Sequence, residues 1–200
     1  PDILSERLSN WLMSFEFLTA STDPIFAQTL RTSIISQARH LNRIATWGQQ
    51  DSSLFDVVKG QILCGICIPG NQDGLEAGFS LLTQEINRQI LPDGGHFQRS
   101  PSLQLHVLRR LIEIREILQA AQLEVPIDLQ TALDRMGPML RSYRLSDGSL
   151  GLFNGGTEEN SRAIDTVLGK IAVKGKALLS APHTGFQRIT AGRTLILMDT

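Results

Sequence analysis

Residues 92–101 contain three side chains that can hydrogen-bond a ligand or transfer a proton: His96, Gln98 and Arg99. A histidine can act as a general base near neutral pH, and an arginine can bind a carboxylate through two parallel hydrogen bonds. A glycine pair before them allows a tight turn, and Ser100-Pro101 is typical of an N-cap followed by proline at the first helical position. We therefore predict a short loop that presents a binding or catalytic site beside a helix.

The same loop also fits a structural role. In that alternative, His96 bonds a backbone carbonyl in the turn, and Arg99 pairs with Asp93 across the loop. An ordinary helix–helix connection with solvated polar residues has the same composition. The functional hypothesis makes His96 a catalytic residue and makes Asp93, Gln98 and Arg99 substrate contacts.

Four later residues are candidates for the same site: Tyr143, Arg144, Asn154 and His183. We predict Tyr143 as a second catalytic residue and the other three as substrate contacts. Tyr143 also falls on the apolar side of a predicted helix, which is typical of a core residue. Asn154 and His183 lie beside glycine or proline, and both positions equally suit residues that shape a turn.

Cys64 and Cys67 are separated by two residues, as in redox and metal-binding motifs. Here the pair closes an apolar helical run and is followed by Pro69-Gly70, whereas a reactive cysteine favours a helix N-terminus. A structural zinc site needs a second pair of ligands at suitable spacing, which the sequence lacks. We predict that both cysteines are buried, helical and reduced, and we expect no metal or other cofactor.

The overall composition excludes some partners. The chain has 200 residues and a formal net charge of −1, so no excess of basic residues points to nucleic acid or to an anionic membrane surface. The longest strongly apolar stretch, residues 61–68, is too short to span a membrane. The sequence begins without methionine and without a signal-peptide pattern, so we expect a piece of a longer protein and leave its compartment, periplasmic or cytoplasmic, open.

Apolar residues recur at helical spacing in six segments before residue 145. Asp23-Pro24, Asp51, Asp73 and Ser100-Pro101 precede four of these segments and are predicted N-caps. Gly137-Pro138 predicts a kink in the sixth segment. Short loops between amphipathic helices favour helical hairpins, so we predict a helical domain over residues 1–145.

The pattern changes after residue 145. Residues 146–180 read as a connecting segment, and residues 186–189 and 194–198 predict a β-hairpin. A lone hairpin is marginally stable in water, so residues 181–200 are expected to begin a larger antiparallel sheet domain. The predicted fold class is mainly α, with helical hairpins followed by the first antiparallel strands.

Three motifs, in this order, resemble the heparinase II/III-like polysaccharide lyases, and in particular a bacterial branch of that family. The first is DGGHFQRSP at residues 93–101, after a helix that ends in RQIL. The second is a DG turn at 147–148 followed by LFNG, and the third is APHTGF at 181–186, which leads into a strand. The resemblance extends from about residue 8 to residue 199.

The resemblance implies an incomplete (α/α) toroid, followed by a β-sheet domain whose later part is absent from this sequence. It also implies a cleft for an acidic, uronate-containing polysaccharide, cleaved by β-elimination. The family's tyrosine and histidine after its Ser-Pro element align with Leu103 and Gln104, and its asparagine–histidine pair aligns with Ser52-Ser53. Leucine transfers no proton, and serine is a poor clamp for a carboxylate.

These departures leave three functions open. The first is a lyase with a shifted catalytic set, in which His96 and Tyr143 act with the substrate contacts named above. The second is a glycan-binding protein without elimination chemistry, and the third is a helical scaffold for a protein partner. We predict that the chain alone has no lyase activity.

Overall fold

The computed structural model describes residues 1–20, 23–45, 52–171 and 175–200. The chain divides into two compact units, Pro1–Gln84 and Glu85–Thr200. The predicted N-cap Asp51 lies outside the described residues. The predicted domain boundaries at 145 and 180 differ from this division and stay a prediction.

The first unit contains helices α1 (Asp2–Met13), α2 (Phe15–Thr19), α3 (Pro24–Ile44) and α4 (Leu54–Cys67), and α5 (Gln72–Gln89) begins in it. Helix α4 is its centre, since every residue from 54 to 64 is buried. Helix α1 packs against α4 at Gly60, where a Cβ atom would lie 2.0 Å from Ser5 Oγ. Any side chain at residue 60 would force Ser5 to move.

Two N-cap predictions have different outcomes. Asp23 accepts a hydrogen bond from the Ile25 N–H at 2.9 Å and caps α3, with Pro24 in the first turn, as predicted. The prediction for Asp73 is wrong, because α5 begins at Gln72 and Asp73 lies within the first turn. A carboxylate there still interacts favourably with the positive end of the helix dipole.

The cysteine prediction is half correct. Both residues are helical free thiols, and Cys64 is buried, but Cys67 is exposed. Burial, and to a lesser degree the neighbouring Cys67, raises the pKa of Cys64 to about 12. Cys67 is the last residue of α4, and an apolar run in the sequence does not reveal which of its ends reaches the surface.

The second unit contains the last turn of α5, then α6 (Pro101–Ala120), α7 (Ile127–Ser142) and α8 (Ser161–Gly169). Helix α6 packs against both α7 and α8. Helix α7 continues through Pro138 to residue 142, and the predicted kink there stays a prediction. The fully buried residues Leu108, Leu111 and Leu140 belong to the core of this unit.

The chain ends in a three-stranded antiparallel sheet in the order β1 (Ser180–Ala181), β2 (Phe186–Ala191), β3 (Thr194–Asp199). Phe186 pairs with Ala181 on one side and with Asp199 on the other. The hairpin was predicted. Strand β1 was not, because a strand of two residues is too short to show the alternation of apolar and polar residues that marks a strand. The predicted fold class, mainly helical with antiparallel strands at the end, is confirmed. Among the described residues, no helix has the length and apolarity that crossing a membrane requires.

Candidate functional site

The predicted loop after α5 folds back on itself as a tight hairpin. The Leu91 N–H donates to Gly95 O at 2.8 Å, and the Phe97 N–H donates to Gln89 O at 2.9 Å. Gly94 has φ +85°, and a Cβ atom there would lie 2.2 Å from the backbone oxygen of Arg135. The glycine therefore allows the loop to pack directly on the backbone of α7.

His96 is fully buried at the base of this hairpin. Its Nε2 lies 2.8 Å from Gln89 Oε1, and its Nδ1 accepts from the Gln98 N–H at 3.3 Å. Gln89 Nε2 donates to the buried Glu85 at 2.6 Å, which turns the amide oxygen of Gln89 toward His96. Nε2 must therefore carry the proton, and both ring nitrogens are occupied within the protein.

Gln104 of α6 links the loop to the helix that follows it. It is fully buried, its Oε1 accepts from the His96 N–H at 2.7 Å, and its Nε2 donates to Gly94 O at 2.9 Å. Its side chain thus holds the loop to the first turn of α6. Leu103, which precedes Gln104, is half-buried.

Tyr143 is the only tyrosine of the sequence and is fully buried. Its ring meets Phe186 of β2 edge to face, with centroids 4.9 Å apart. Its hydroxyl is buried and has no hydrogen-bond partner among the described residues. Burial, with a contribution from the Asp93 carboxylate, raises the pKa of Tyr143, so the phenol stays neutral.

Asp93 joins the loop to the turn before β2. Its carboxylate accepts from the Thr184 N–H at 2.7 Å, from Thr184 Oγ1 at 2.5 Å, from the His183 N–H at 2.8 Å and from the Gly95 N–H at 3.2 Å. Burial raises the pKa of Asp93, but these hydrogen bonds outweigh it and lower the pKa below its usual value. His183 contributes its backbone here, and its side chain is exposed.

Arg99 forms the surface part of the site. Its backbone has φ +60°, and its guanidinium pairs with Asp199 of β3 rather than with Asp93. The same Nη2 atom donates to Gly185 O at 3.4 Å and to Thr200 O at 3.1 Å. Asn154, at φ +48°, donates from Nδ2 to Asp199 at 3.0 Å and to Arg99 O at 3.1 Å. Arg99, Asn154 and Asp199 form one cluster, which we call the surface triad.

Among the residues that the structure describes, the remaining candidates form no hydrogen bond or ion pair with the side chains of this triad. Arg144 forms an ion pair with Asp165 of α8 at 2.7 Å and donates to Gly148 O at 3.1 Å. Gln98 is exposed, with its backbone N–H held by His96. Within the described part of the chain, no group of three His, Cys, Asp or Glu side chains is arranged to hold a metal ion.

Sequence reasoning missed Gln104 as a structural link, and it also missed Thr184 and Asp199. Arg99 and Asp199 are 100 residues apart in the chain, and Asp93 and Thr184 are 91 apart. No local pattern reports such pairs. The one available signal is the turn motif at 181–186, which contains Thr184 and ends with Phe186.

A family model described as heparinase II/III N-terminus matches residues 3–173. The chain belongs to the heparinase II/III family. This membership links it, at the level of the family, to polysaccharide lyases.

Solved structures agree on the fold of this heparinase II/III chain. A crystal structure of heparinase III has a TM-score of 0.73 at 18% identity, over 82% of this chain and 27% of the other. A mutant of a heparan sulfate lyase from Pedobacter heparinus has a TM-score of 0.72 at 20% identity, over 98% of this chain and 35% of the other. At these identities the likeness concerns the fold alone.

One relative of known sequence has a name that does not refer to heparinase. FtsZ-localized protein C from Caulobacter vibrioides is 25% identical over 199 residues, which is 100% of this chain and 34% of the relative. The heparinase II/III chain therefore spans about a third of the length of this relative.

Proposed function

We propose that this chain is the part of a heparinase II/III protein that contributes contacts to an acidic, uronate-containing polysaccharide, and that its own residues transfer no proton. β-Elimination requires a base that reaches the proton next to the sugar carboxylate and an acid that reaches the leaving oxygen. The proposal concerns the role of this chain, and any elimination by the longer protein would use groups outside it.

The main support for the absence of proton transfer is that both ring nitrogens of His96 are already hydrogen-bonded within the protein. Nδ1 accepts from a backbone N–H, Nε2 bonds Gln89, and the ring is fully buried. A base needs a free lone pair within hydrogen-bond reach of substrate. Tyr143 is equally enclosed, and its raised pKa opposes ionisation. Leu103 supplies no acid at the family's tyrosine position.

The surface triad supports the binding role. The Arg99 side chain is 37% exposed, and Nη2 makes every hydrogen bond that its guanidinium forms with described residues. Nη1 makes no hydrogen bond with a described residue, so its N–H groups remain as donors for a carboxylate or sulfate of a glycan. Asp199 and Asn154 fix the orientation of the group, which lowers the entropy lost when an anion binds.

Two measurements on the purified chain test this function. Ultraviolet absorbance should show no unsaturated uronate product from heparan sulfate, hyaluronan or alginate, whereas calorimetry should show binding of at least one of their oligosaccharides. Arg99→Gln should weaken that binding about tenfold, which corresponds to about 1.4 kcal/mol for one charged hydrogen bond.

The matched control is Arg193→Gln, which removes the same charge from the exposed turn between β2 and β3. It should leave the affinity unchanged. Formation of product by the chain would overturn the assignment of a role without proton transfer. Equal weakening by both variants would show that net charge, rather than the triad, attracts the glycan.

A second candidate function is docking of a protein partner. The match to FtsZ-localized protein C covers the whole of this chain, and that name places the relative at another protein. The first unit also exposes large apolar side chains, with Phe17 84% and Met13 71% exposed. Co-sedimentation of the chain with polymerised FtsZ tests this function, and its absence would remove this candidate.

A further inference from the structure

A polar hollow of about 560 Å³ lies in the first unit, where the second half of α3 faces the start of α5. Arg39, Asn42 and Arg43 line it from α3, and Asn71 and Asp73 line it from the other side. None of these residues belongs to the surface triad or to the loop at 93–99. The hollow is therefore a separate feature of the molecule.

The two arginines of the hollow are exposed and differ from the other two arginines of their unit. Arg7 donates to Gln37, and Arg31 lies over the Phe15 ring, but neither Arg39 nor Arg43 has a hydrogen bond or ion pair with a described residue. They are one helical turn apart, so their like charges repel each other. An anion placed between them would remove this repulsion and accept from both guanidinium groups.

The wall of the hollow is fixed by an amide pair. Asn42 Nδ2 donates to Asn71 Oδ1 at 3.0 Å, across 29 residues of chain. Gly74 makes room for this pair, since a Cβ atom there would lie 2.7 Å from Asn42 Nδ2 and 2.8 Å from Asn71 Oδ1. This side-chain hydrogen bond joins α3 to the residue before α5, beside both arginines.

We propose that this hollow binds a single oxyanion, a carboxylate or a sulfate group. Among the described residues that line it, Asp73 is the one acidic group, so two positive charges face one negative charge. The negative charge of Asp73 should weaken binding, while each arginine should strengthen it. The direction in which each variant should change the affinity for the anion is therefore predicted before the experiment. The proposal does not depend on the polysaccharide role, because the hollow contains neither Arg99 nor its partners.

The experiment is a titration of the chain with inorganic sulfate, followed by NMR of the arginine Nε–H signals. Arg39→Gln and Arg43→Gln should each weaken sulfate binding at least fivefold, and Asp73→Asn should strengthen it about threefold, the size expected for single charges at a partly exposed site. Arg162→Gln, which removes an exposed charge from α8, should change nothing. Melting temperatures of all variants show whether each is folded.

A second titration uses a sulfated uronate disaccharide, to separate a free anion from an anion carried by a sugar. Tighter binding of the disaccharide, lost in Arg39→Gln, identifies a saccharide subsite, and equal binding identifies a site for small oxyanions. The proposal is overturned if sulfate does not saturate the chain, or if Arg162→Gln weakens binding as much as Arg39→Gln. The Arg39 and Arg43 Nε–H signals report on the hollow alone, and binding of the uronate oligosaccharides at Arg99 is measured separately by calorimetry, so failure here is distinct from failure of the glycan role.

Discussion

The buried and the exposed halves of the candidate site use similar residue types for opposite purposes. In the buried half, His96, Gln104 and Tyr143 have no exposed surface, and their polar atoms either bond the protein itself or lie enclosed. In the exposed half, Arg99 and Asn154 reach solvent and keep part of their hydrogen-bonding capacity. Chemistry-bearing residue types thus become structural when a loop packs against a helix. Only the part that remains at the surface is free to meet a ligand.

The largest expected change in the free energy of unfolding is at Tyr143, where two variants distinguish a packing role of the ring from a binding role of the hydroxyl. Tyr143→Ala should lower the free energy of unfolding by about 3–5 kcal/mol, since a large ring is removed from a fully buried position against Phe186. Tyr143→Phe should leave that free energy unchanged or slightly raised, because the hydroxyl has no partner among the described residues. Urea unfolding followed by circular dichroism measures both.

Together, Tyr143→Ala and Tyr143→Phe test whether Tyr143 of the buried half is a core residue. A Phe variant that folds normally but loses glycan binding would mean that the hydroxyl reaches a ligand. That result would contradict its assignment to the core.

The next effect concerns Gln104. Gln104→Leu should lower the free energy of unfolding by about 2–4 kcal/mol, because the buried N–H of His96 and the buried carbonyl of Gly94 both lose their partner. Gln119→Leu, at an exposed position near the end of the same helix, is the matched control and should change stability by less than about 0.5 kcal/mol. Comparable losses in both would show that helix propensity, rather than the loop contact, determines the effect.

These residues show where sequence reasoning succeeds. Helical spacing located α1 and α3 to α7, and the pairing of Asp23 with Pro24 located the start of α3, because both signals depend on neighbours within a few residues. The hairpin of β2 and β3 was found for the same reason. Ser100-Pro101 correctly marked the start of α6, although the serine side chain makes no capping hydrogen bond.

The contacts of these residues with distant parts of the chain could not be predicted from the sequence. The loop was correctly read as a tight turn fixed by a helix, yet its sequence does not reveal that Gly94 touches the backbone of α7. The partners of Asp93 and Arg99 come from the last part of the chain, and such pairings depend on the tertiary fold. The placement of the predicted site residues in a functional site stays a prediction, which the variants above test.

The smallest effect tests the link between the two halves, Asp93. Hydrogen bonds from Thr184, His183 and Gly95 lower its pKa in the folded chain below the value of about 3.9 expected in the unfolded chain. A depressed folded-state pKa means that the carboxylate stabilises the fold fully above the unfolded-state pKa. This stabilisation is lost as the pH falls through the lower, folded-state pKa. Asp93→Asn should therefore lower the free energy of unfolding by about 1–2 kcal/mol at pH 7, because an amide nitrogen replaces one acceptor oxygen.

The difference between the wild-type chain and Asp93→Asn should shrink as the pH falls from about 4 through the lowered folded-state pKa, below which the wild-type carboxyl is protonated in the folded chain as well. Melting temperatures measured from neutral to acidic pH provide the test. Asp147→Asn is the matched control, because Asp147 also accepts from a nearby backbone N–H and hydroxyl, but both belong to Ser149 on the same exposed turn. Its loss breaks no contact between distant segments, so its effect should be smaller than that of Asp93→Asn. If the two variants behave alike across the pH range, the Asp93 carboxylate does not join the loop to the sheet, and the buried and exposed halves of the site are held together by apolar packing at Phe186.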